Sequence, residues 1–249
     1  MPARARRLSA RLWHAPVRRA GLALCAWITA SVAGAQTITQ AQYAEPTTRY
    51  AHAILGDDIE HGALVLTLAG EPKRVVLRLP HERVFEDTEP RIADVDGDGQ
   101  PEVVVVESHQ AQGARLAIYN VAGLVAATPY IGQRNRWLAP VAVADLDGDG
   151  MVELAYIDRP HLAKILRVWR FADGALTEVA TLEGLTNHRI GERDIAGGLR
   201  TCYDGPEMIV ARADWARLVA VRFDGTRLAA RDIGPHRDRT SFARALACQ

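Results

Sequence analysis

Two short acidic loops constrain this chain more than any other feature of its sequence. Each loop places carboxylates at its first, third, fifth and ninth positions and carries glycine between them. Ca²⁺ takes about six to eight oxygen ligands, and several negative charges are needed to balance it. The sequence therefore predicts two calcium loops, whose carboxylates are Asp94, Asp96, Asp98 and Glu102 in the first loop and Asp145, Asp147, Asp149 and Glu153 in the second.

The residues after each loop distinguish it from an EF-hand. An EF-hand places its bidentate glutamate at position twelve and is flanked by helices, whereas position twelve is Val105 in the first loop and Tyr156 in the second. The residues that follow each glutamate are apolar and β-branched or aromatic, which favours strands. A simple Asp-Gly hairpin turn would explain one such pair, but not alternating carboxylates in two copies. We therefore expect both loops to lie between strands.

Residues 1–35 have the pattern of a secretory signal peptide. Basic residues precede an apolar stretch at 20–35 that ends in Ala-Gly-Ala, so we expect cleavage before Gln36. The apolar stretch is short for a membrane span of ~20 residues. Lipidation at Cys25 and a twin-arginine signal at 18–19 fit the surrounding residues less well. The pattern predicts a chain exported to the periplasm or secreted, with no stable membrane span after cleavage.

Loss of this leader changes the charge of the chain. The whole sequence carries 30 basic and 30 acidic residues, and all six basic residues of 1–35 leave with the leader. The mature chain then has 24 basic against 30 acidic residues, a net charge of about −6. Because no basic surface is indicated, nucleic acid is not an expected partner. Bound calcium would offset part of the negative charge.

The three cysteines predict one disulfide. Cys25 leaves with the leader, and a single remaining pair in an exported chain is most simply a bridge between Cys202 and Cys248. Closing a loop of roughly 45 residues contributes on the order of 4 kcal/mol in the chain-entropy model. We expect this bridge to hold the C-terminal tail, residues 234–249.

A repeat organises residues 36–249. The two loops begin 51 residues apart, and strand patterns recur around them, which indicates a stacked or radial repeat. Four units of about four strands, with Asp-Gly hairpin signals and little helix signal, predict an all-β fold, a β-propeller of about four four-stranded blades. The predicted strands of the first unit are Tyr50–Leu55, Ala63–Leu68, Arg74–Leu79 and Val84–Glu86, and the later units start near 91, 141 and 194.

The two loops and the strands after them resemble the FG-GAP or VCBS repeats of integrin-α-like β-propellers, most specifically over residues 91–160. The resemblance implies that each loop joins the first and second strands of a blade and binds Ca²⁺. It also implies a backbone carbonyl ligand at the seventh position, in addition to the carboxylates. These ligands would be the carbonyls of Gln100 and Met151.

The chain departs from that family in blade number and in its outer units. Such propellers usually have about seven blades, whereas the length of this chain allows four. We therefore expect a closed four-bladed ring, with completion of a larger ring by a second chain left open. The first unit carries Asp57, Asp58 and Glu60 at the wrong spacing, and the run from Asp194 has lost its alternating carboxylates. Neither should bind calcium tightly. In the fourth unit the disulfide at Cys202 would take the place of the metal.

Enzyme signals are sparse. The mature chain has two serines, Ser108 and Ser241, and neither lies in a nucleophile elbow. No His-x-x-x-His or Cys-x-x-Cys pair offers a transition-metal site. Three polar clusters precede or follow strands and would converge if inter-blade loops gather on one face: Arg134, Arg136 and Trp137; Arg159, Pro160 and His161; and Asn187, His188 and Arg189.

The leading hypothesis is an exported, calcium-binding propeller that acts as a binding or interaction module for a protein or carbohydrate ligand. The alternatives are an exported hydrolase or lyase acting on a polysaccharide or similar polymer, and a structural component of an envelope assembly. No catalytic residue is assigned. Convergence of Arg136, His161, His188 and Arg189 beside a carboxylate with a shifted pKa would favour catalysis. The oligomeric state stays open.

Overall fold

The computed structural model describes residues 37–70, 74–202 and 204–249, and the regular structure of this part is almost entirely β-strand, in three antiparallel sheets. The predicted signal peptide and its cleavage site lie outside the described residues. No helix in the described ranges is long and apolar enough to cross a membrane. The prediction of an all-β fold is confirmed.

The first sheet joins the first two predicted units. β4 and β5 lie one after the other along the same edge of β6, and β4 also meets β2 through the single pair His61 and Phe85. The loop 94–101 connects β5 to β6, as the resemblance implied. The eight strands are β1 (Ile38–Thr47), β2 (Glu60–Leu68), β3 (Arg74–Arg78), β4 (Arg83–Phe85), β5 (Arg91–Ala93), β6 (Glu102–His109), β7 (Gly113–Asn120) and β8 (Gly123–Ala127).

The second sheet is a four-stranded meander that matches the predicted third unit. Its first two strands are joined by the second acidic loop, residues 145–152. Its last hairpin turns at Asp173 and Gly174, which both have positive φ (51° and 73°), as a two-residue hairpin turn requires. The strands are β9 (Leu138–Ala144), β10 (Glu153–Asp158), β11 (Ile165–Ala172) and β12 (Ala175–Glu183).

The third sheet matches the predicted fourth unit. β13 and β14 share one edge of β15, in the way that β4 and β5 share one edge of β6. The first strand of a unit is therefore split in two of the repeats. The strands are β13 (Leu185–Thr186), β14 (Gly198–Cys202), β15 (Gly205–Arg212), β16 (Arg217–Phe223) and β17 (Leu228–Pro235).

The sheets pack face to face, and this packing buries both faces of the second strand in each unit. In β6, Val104 and Val106 face the second sheet, while Val103 and Val105 pack with residues of β1 and β2. Strands β10 and β15 alternate in the same way. Burial on two faces explains why these strands are continuous apolar runs in the sequence.

One expected strand and the expected tail differ from the structure. The expected strand at residues 50–55 is wrong: this segment is irregular, with Tyr50 fully buried and its hydroxyl accepting a hydrogen bond from the Asn135 backbone N–H at 3.1 Å. The first strand of that unit is instead β1. The expected tail contains the helix α1 (Arg239–Leu246), whose N-cap Asp238 accepts from the Ser241 backbone N–H.

Helix α1 covers the face of the third sheet that points away from the second sheet. Phe242 and Ala245 pack there against Ile209 and Ala220. The predicted bridge between Cys202 and Cys248 is present and connects β14 to the residues just after the helix. Helix α1, not another sheet, therefore covers this face. The packing here does not support closure of a four-bladed ring through this face.

The disulfide should stabilise the domain by holding α1 on the third sheet. We expect Cys248→Ser to lower the free energy of unfolding by about 3–4 kcal/mol, since the bridge spans 46 residues. Urea unfolding of the mature chain measures this loss. Thiol titration of the unfolded, unreduced mature chain should find no free cysteine, and two reactive thiols would contradict the assignment.

Candidate functional site

The first acidic loop folds around the carboxylate of Asp94. Its two oxygens accept hydrogen bonds from the backbone N–H groups of Gly97 (2.9 Å) and Gly99 (3.0 Å). Both glycines have positive φ (76° and 83°), a conformation that other residues adopt only with strain. The alternation of aspartate and glycine in the sequence is therefore a requirement of this loop's shape.

The remaining carboxylates of the loop each use one oxygen in a backbone hydrogen bond. Asp96 Oδ1 accepts from Asp98 N (3.1 Å), and Asp98 Oδ1 accepts from Gln100 N (2.6 Å). Glu102 Oε2 accepts from Val95 N (3.0 Å). Within the part of the chain that the structure describes, no donor bonds Asp96 Oδ2, Asp98 Oδ2 or Glu102 Oε1. Three oxygens of the loop are thus left for another ligand.

These oxygens form a donor set that suits a hard cation. Ligand atoms of Asp94, Asp96 and Glu102 lie within 4.8 Å of one another. Burial raises the pKa of Glu102, and the neighbouring charges of Asp96 and Asp98 raise it further, while the bond from Val95 opposes them. An all-oxygen set with mutual repulsion fits Ca²⁺. The side chain of Gln100 accepts from Thr37 Oγ1 at 2.7 Å, so the side-chain oxygen of Gln100 is already engaged.

The second loop repeats the backbone hydrogen bonds of the first. Asp145 accepts from Gly148 N (2.6 Å) and Gly150 N (3.0 Å), and Glu153 Oε2 accepts from Leu146 N (2.8 Å). Ligand atoms of Asp145, Asp147 and Glu153 also lie within 4.8 Å of one another. The two loops therefore have the same fold, and each starts from the end of one strand and leads into the next.

A guanidinium distinguishes the second loop from the first. Arg170, on β11, donates from Nε to Glu153 Oε1 (2.6 Å) and from Nη2 to Asp147 Oδ2, and its Nη1 forms an ion pair with Asp149 Oδ2 at 3.0 Å. Burial opposes the charge of Arg170, but the bonds to Glu153 and Asp147 outweigh it and raise its pKa. The carboxylates of the second loop are thus already engaged by a cation of the chain, and they do not fit a metal ion until Arg170 moves.

In the fourth unit, arginine side chains balance the negative charge of the buried glutamate. Glu207 on β15 accepts from Arg200 (2.6 Å), Arg222 (3.0 Å) and Arg231 (2.9 Å). Burial would raise the pKa of Glu207, but these three arginines lower it to about 2. The sequence predicted that the disulfide replaces the metal in this unit. The bridge is present, but the negative charge is balanced by arginine side chains.

The first unit has a buried glutamate that forms no ion pair with any of the described residues. Glu60 opens β2 opposite Thr47, as Glu102 opens β6 opposite Ala93. Its side chain is buried, and its Oε1 has no hydrogen-bond partner among the described residues. Burial, then the nearby charges of Glu86 and Asp57, raise the pKa of Glu60 to about 9. Glu60 is therefore protonated at neutral pH.

Part of the predicted polar convergence is observed at a separate cavity of about 220 Å³. Arg136 and His161 line it together with Trp137 and His52. His161 Nε2 lies 3.1 Å from Nδ1 of the buried His188, and burial and this neighbour lower the pKa of His161 to about 4.

The other members of the three polar clusters are placed as follows. Arg159 also lines the cavity and is paired with Asp158 at 2.8 Å, and Asn187 donates to the carbonyls of Ala139 and Pro140. Arg189 lies elsewhere, 4.2 Å over the ring of Trp215. The convergence that would favour catalysis is thus incomplete, because Arg189 does not take part.

The carboxylate beside this cavity is Glu86, which the sequence did not single out. Burial raises its pKa, and the bonds from His52 and Ser108 act against that increase. His52 Nδ1 lies 2.5 Å from Glu86 Oε1, and Ser108 Oγ donates to Oε2. Both carboxylate oxygens accept a hydrogen bond or lie against a histidine nitrogen, and the hydroxyl of the fully buried Ser108 is directed at Glu86. This arrangement provides neither an exposed general acid nor a serine nucleophile activated by histidine.

Substitution of Glu60 by glutamine should stabilise the domain at neutral and alkaline pH. Above its ordinary pKa of about 4.5 the unfolded chain releases this proton, while the folded chain keeps it up to about pH 9. Stability is therefore lost as the pH rises through that window, and Glu60→Gln removes the loss, on the order of 4 kcal/mol at pH 7.5, about three pH units above the ordinary pKa.

Urea unfolding from pH 4.5 to 9 in chelator measures this effect. Glu45→Gln is the matched control, because Glu45 is exposed and paired with Arg78 at 2.6 Å. Parallel pH profiles of the wild type and Glu60→Gln would contradict the assignment.

Comparison with known proteins identifies the repeat that contains both loops. Residues 94–156 match the family model of the FG-GAP-like repeat, from the first aspartate of the first loop into strand β10. A search of curated proteins found no match to this chain. The matched range includes every predicted side-chain ligand of both loops. Residues 94–156 therefore carry an FG-GAP-like repeat.

Proposed function

We propose that the chain is an exported calcium-binding module of the β-propeller type that acts by binding a partner. The observation that carries the proposal is the first acidic loop, where three carboxylate oxygens are left free by the backbone hydrogen bonds. The ligands would be Asp94, Asp96, Asp98 and Glu102 with the carbonyl of Gln100, and their counterparts Asp145, Asp147, Asp149 and Glu153 with the carbonyl of Met151.

Bound calcium would balance the charge that these loops concentrate. In the first loop four carboxylates gather, and the donors to them among the described residues are backbone N–H groups. The loop connects β5 to β6, so repulsion among its carboxylates acts where the buried strand β6 begins. Calcium there would hold the start of β6 in register with β5.

Export is supported by the disulfide and by the leader pattern. Disulfides persist in oxidising compartments and are rare in the cytosol, and Cys202 and Cys248 are bridged. We infer that residues 1–35 direct the chain to such a compartment and are removed there. An external compartment also supplies calcium at the concentrations that weak extracellular sites need.

The propeller arrangement is supported by the repeated units and their packing. Strands β5–β8, β9–β12 and β14–β17 each form an antiparallel series, and the first two have an acidic loop between their first and second strands. Successive units bury apolar residues against each other. We propose that four units stack radially as blades, with β1, β2 and β3 in the first blade and α1 against the last.

A binding role fits the cavity better than catalysis does. Arg136 supplies a positive charge at its wall, His161 supplies its Nδ1, and Leu162 and Ile190 expose apolar surface at its rim. The buried carboxylate nearby is shielded by His52 and Ser108. These features suit a partner that presents an acidic or hydrogen-bonding group beside an apolar one.

Calcium should bind the chelator-stripped mature chain and raise its melting temperature. A ligand that binds only the folded state stabilises it by about 2.7 kcal/mol per site at 100 times its Kd. Asp96→Ala should abolish binding at the first loop, because it removes one of the free oxygens. Calorimetric titration with calcium measures both the affinity and the number of sites.

Asp57→Ala and Asp194→Ala are the matched controls, since both remove an acidic residue from a loop without the alternating pattern. They should leave the number of calcium ions bound unchanged. The proposal fails if calcium does not bind the wild type, or if either control removes a site.

A further inference from the structure

We propose that Arg170 acts as a built-in cation of the second acidic loop, so that the two loops bind calcium with different affinities. This inference rests on the proposed function, because it concerns how the chain itself competes with calcium. The first loop is open to the ion, whereas the second loop must release a guanidinium before calcium can bind. The two loops would thus be unequal despite their almost identical sequences.

The oxygens that Arg170 engages are the evidence for this competition. In both loops the backbone bonds one oxygen of the third, fifth and ninth residues. Arg170 forms ion pairs with the other oxygen of each of these three residues in the second loop: Asp147 Oδ2, Asp149 Oδ2 and Glu153 Oε1. One planar guanidinium thus takes the three oxygens that a metal would use, in the fork geometry that suits arginine.

The surroundings hold Arg170 in this position. Its side chain is 17% exposed and lies 5.7 Å from the ring centre of Phe223, on the third sheet. The next turn of that sheet also approaches the loop, because a Cβ added to Gly225 would lie 2.9 Å from Asp147 Oδ2. Displacing the guanidinium would break three charge-assisted contacts in a partly buried site, each stronger than an exposed ion pair.

The position of Arg170 in the sheet explains why the first loop differs. Glu153 pairs across β10 and β11 with Arg170. In the first sheet Val103 pairs with Tyr119, so the residue opposite Glu102 is Asn120. Asn120 is neutral and short, and its Oδ1 accepts from Ala122 N at 2.9 Å, within its own turn. The same sheet position therefore carries an arginine beside one loop and an asparagine beside the other.

The fourth unit extends this comparison. Met208 pairs with Val221, which places Arg222 opposite Glu207, and Arg222 bonds that glutamate at 3.0 Å. In that unit the aspartates have been lost, and arginines alone balance the charge. The second loop thus combines features of the other two units. It has a full set of carboxylates, like the first loop, and an arginine opposite its glutamate, like the fourth unit.

The test exchanges the two residues that face the loops. Calcium alone is titrated calorimetrically into the chelator-stripped mature wild type, Arg170→Asn and Asn120→Arg. We expect the wild type to show one tight site and a second site at least tenfold weaker. Arg170→Asn should tighten the second site by at least tenfold, and Asn120→Arg should weaken the first by a similar factor. Asp96→Ala and Asp147→Ala in each background assign the sites.

Arg217→Asn is the matched control. It removes an arginine that is exposed and paired with Asp232 at 2.6 Å on the third sheet, away from both loops. It should leave both affinities unchanged. Asn120→Arg keeps the test decisive if Arg170→Asn does not fold, because it leaves the second loop untouched and predicts an effect on the first.

The outcomes separate this inference from the proposed function. Two sites of equal affinity in the wild type, unchanged by Arg170→Asn or by Asn120→Arg, would overturn the role of Arg170 and leave calcium binding intact. Absence of calcium binding in every variant would overturn the proposed function itself. A wild type with unequal sites that the exchange makes equal or reverses supports both.

Discussion

The structure depends on how it neutralises a buried glutamate near the start of the second strand of each unit. Glu60, Glu102, Glu153 and Glu207 occupy comparable places in four units, and each is buried. An isolated carboxylate costs several kcal/mol to bury unless it is paired, coordinated or protonated. The second strand is the one buried on both of its faces, so a carboxylate near its start cannot simply point into water.

Each unit meets this constraint in a different way. Glu60 keeps its proton, Glu153 is bonded by Arg170, and Glu207 is held by three arginines. Glu102 is left with one oxygen unbonded, next to three aspartates. Among these four units, the carboxylates of the first loop are the ones whose negative charge no described side chain balances, so a cation from solution would balance it. We infer that calcium takes this place.

Much of the fold followed from the sequence because its signals are local and periodic. The continuous apolar runs of β6, β10 and β15, the Asp-Gly turns and the two acidic loops were predicted near their observed positions. β1 was not predicted, because its residues alternate weakly and are mostly polar. The helix α1 was not predicted because it is a short element whose cap uses Ser241 in place of the usual Glu or Gln.

The differences between the loops were beyond sequence reasoning because they depend on strand register. Arg170 lies 17 residues from Glu153, and nothing local connects the two until β10 and β11 pair. Glu86 was likewise missed, since its partners His52 and Ser108 come from distant segments. Sequence patterns predicted which carboxylates gather, while the counter-charge of each group is set by the neighbouring strand.

A crystal structure of the mature chain grown with calcium tests the central claim most directly. Anomalous difference density at long wavelength would show where the ion binds. The account predicts a strong peak among Asp94, Asp96 and Glu102, and a weaker peak or none at the second loop, where Arg170 stays on Glu153. No peak at the first loop, or two peaks of equal height with Arg170 turned to solvent, would contradict it.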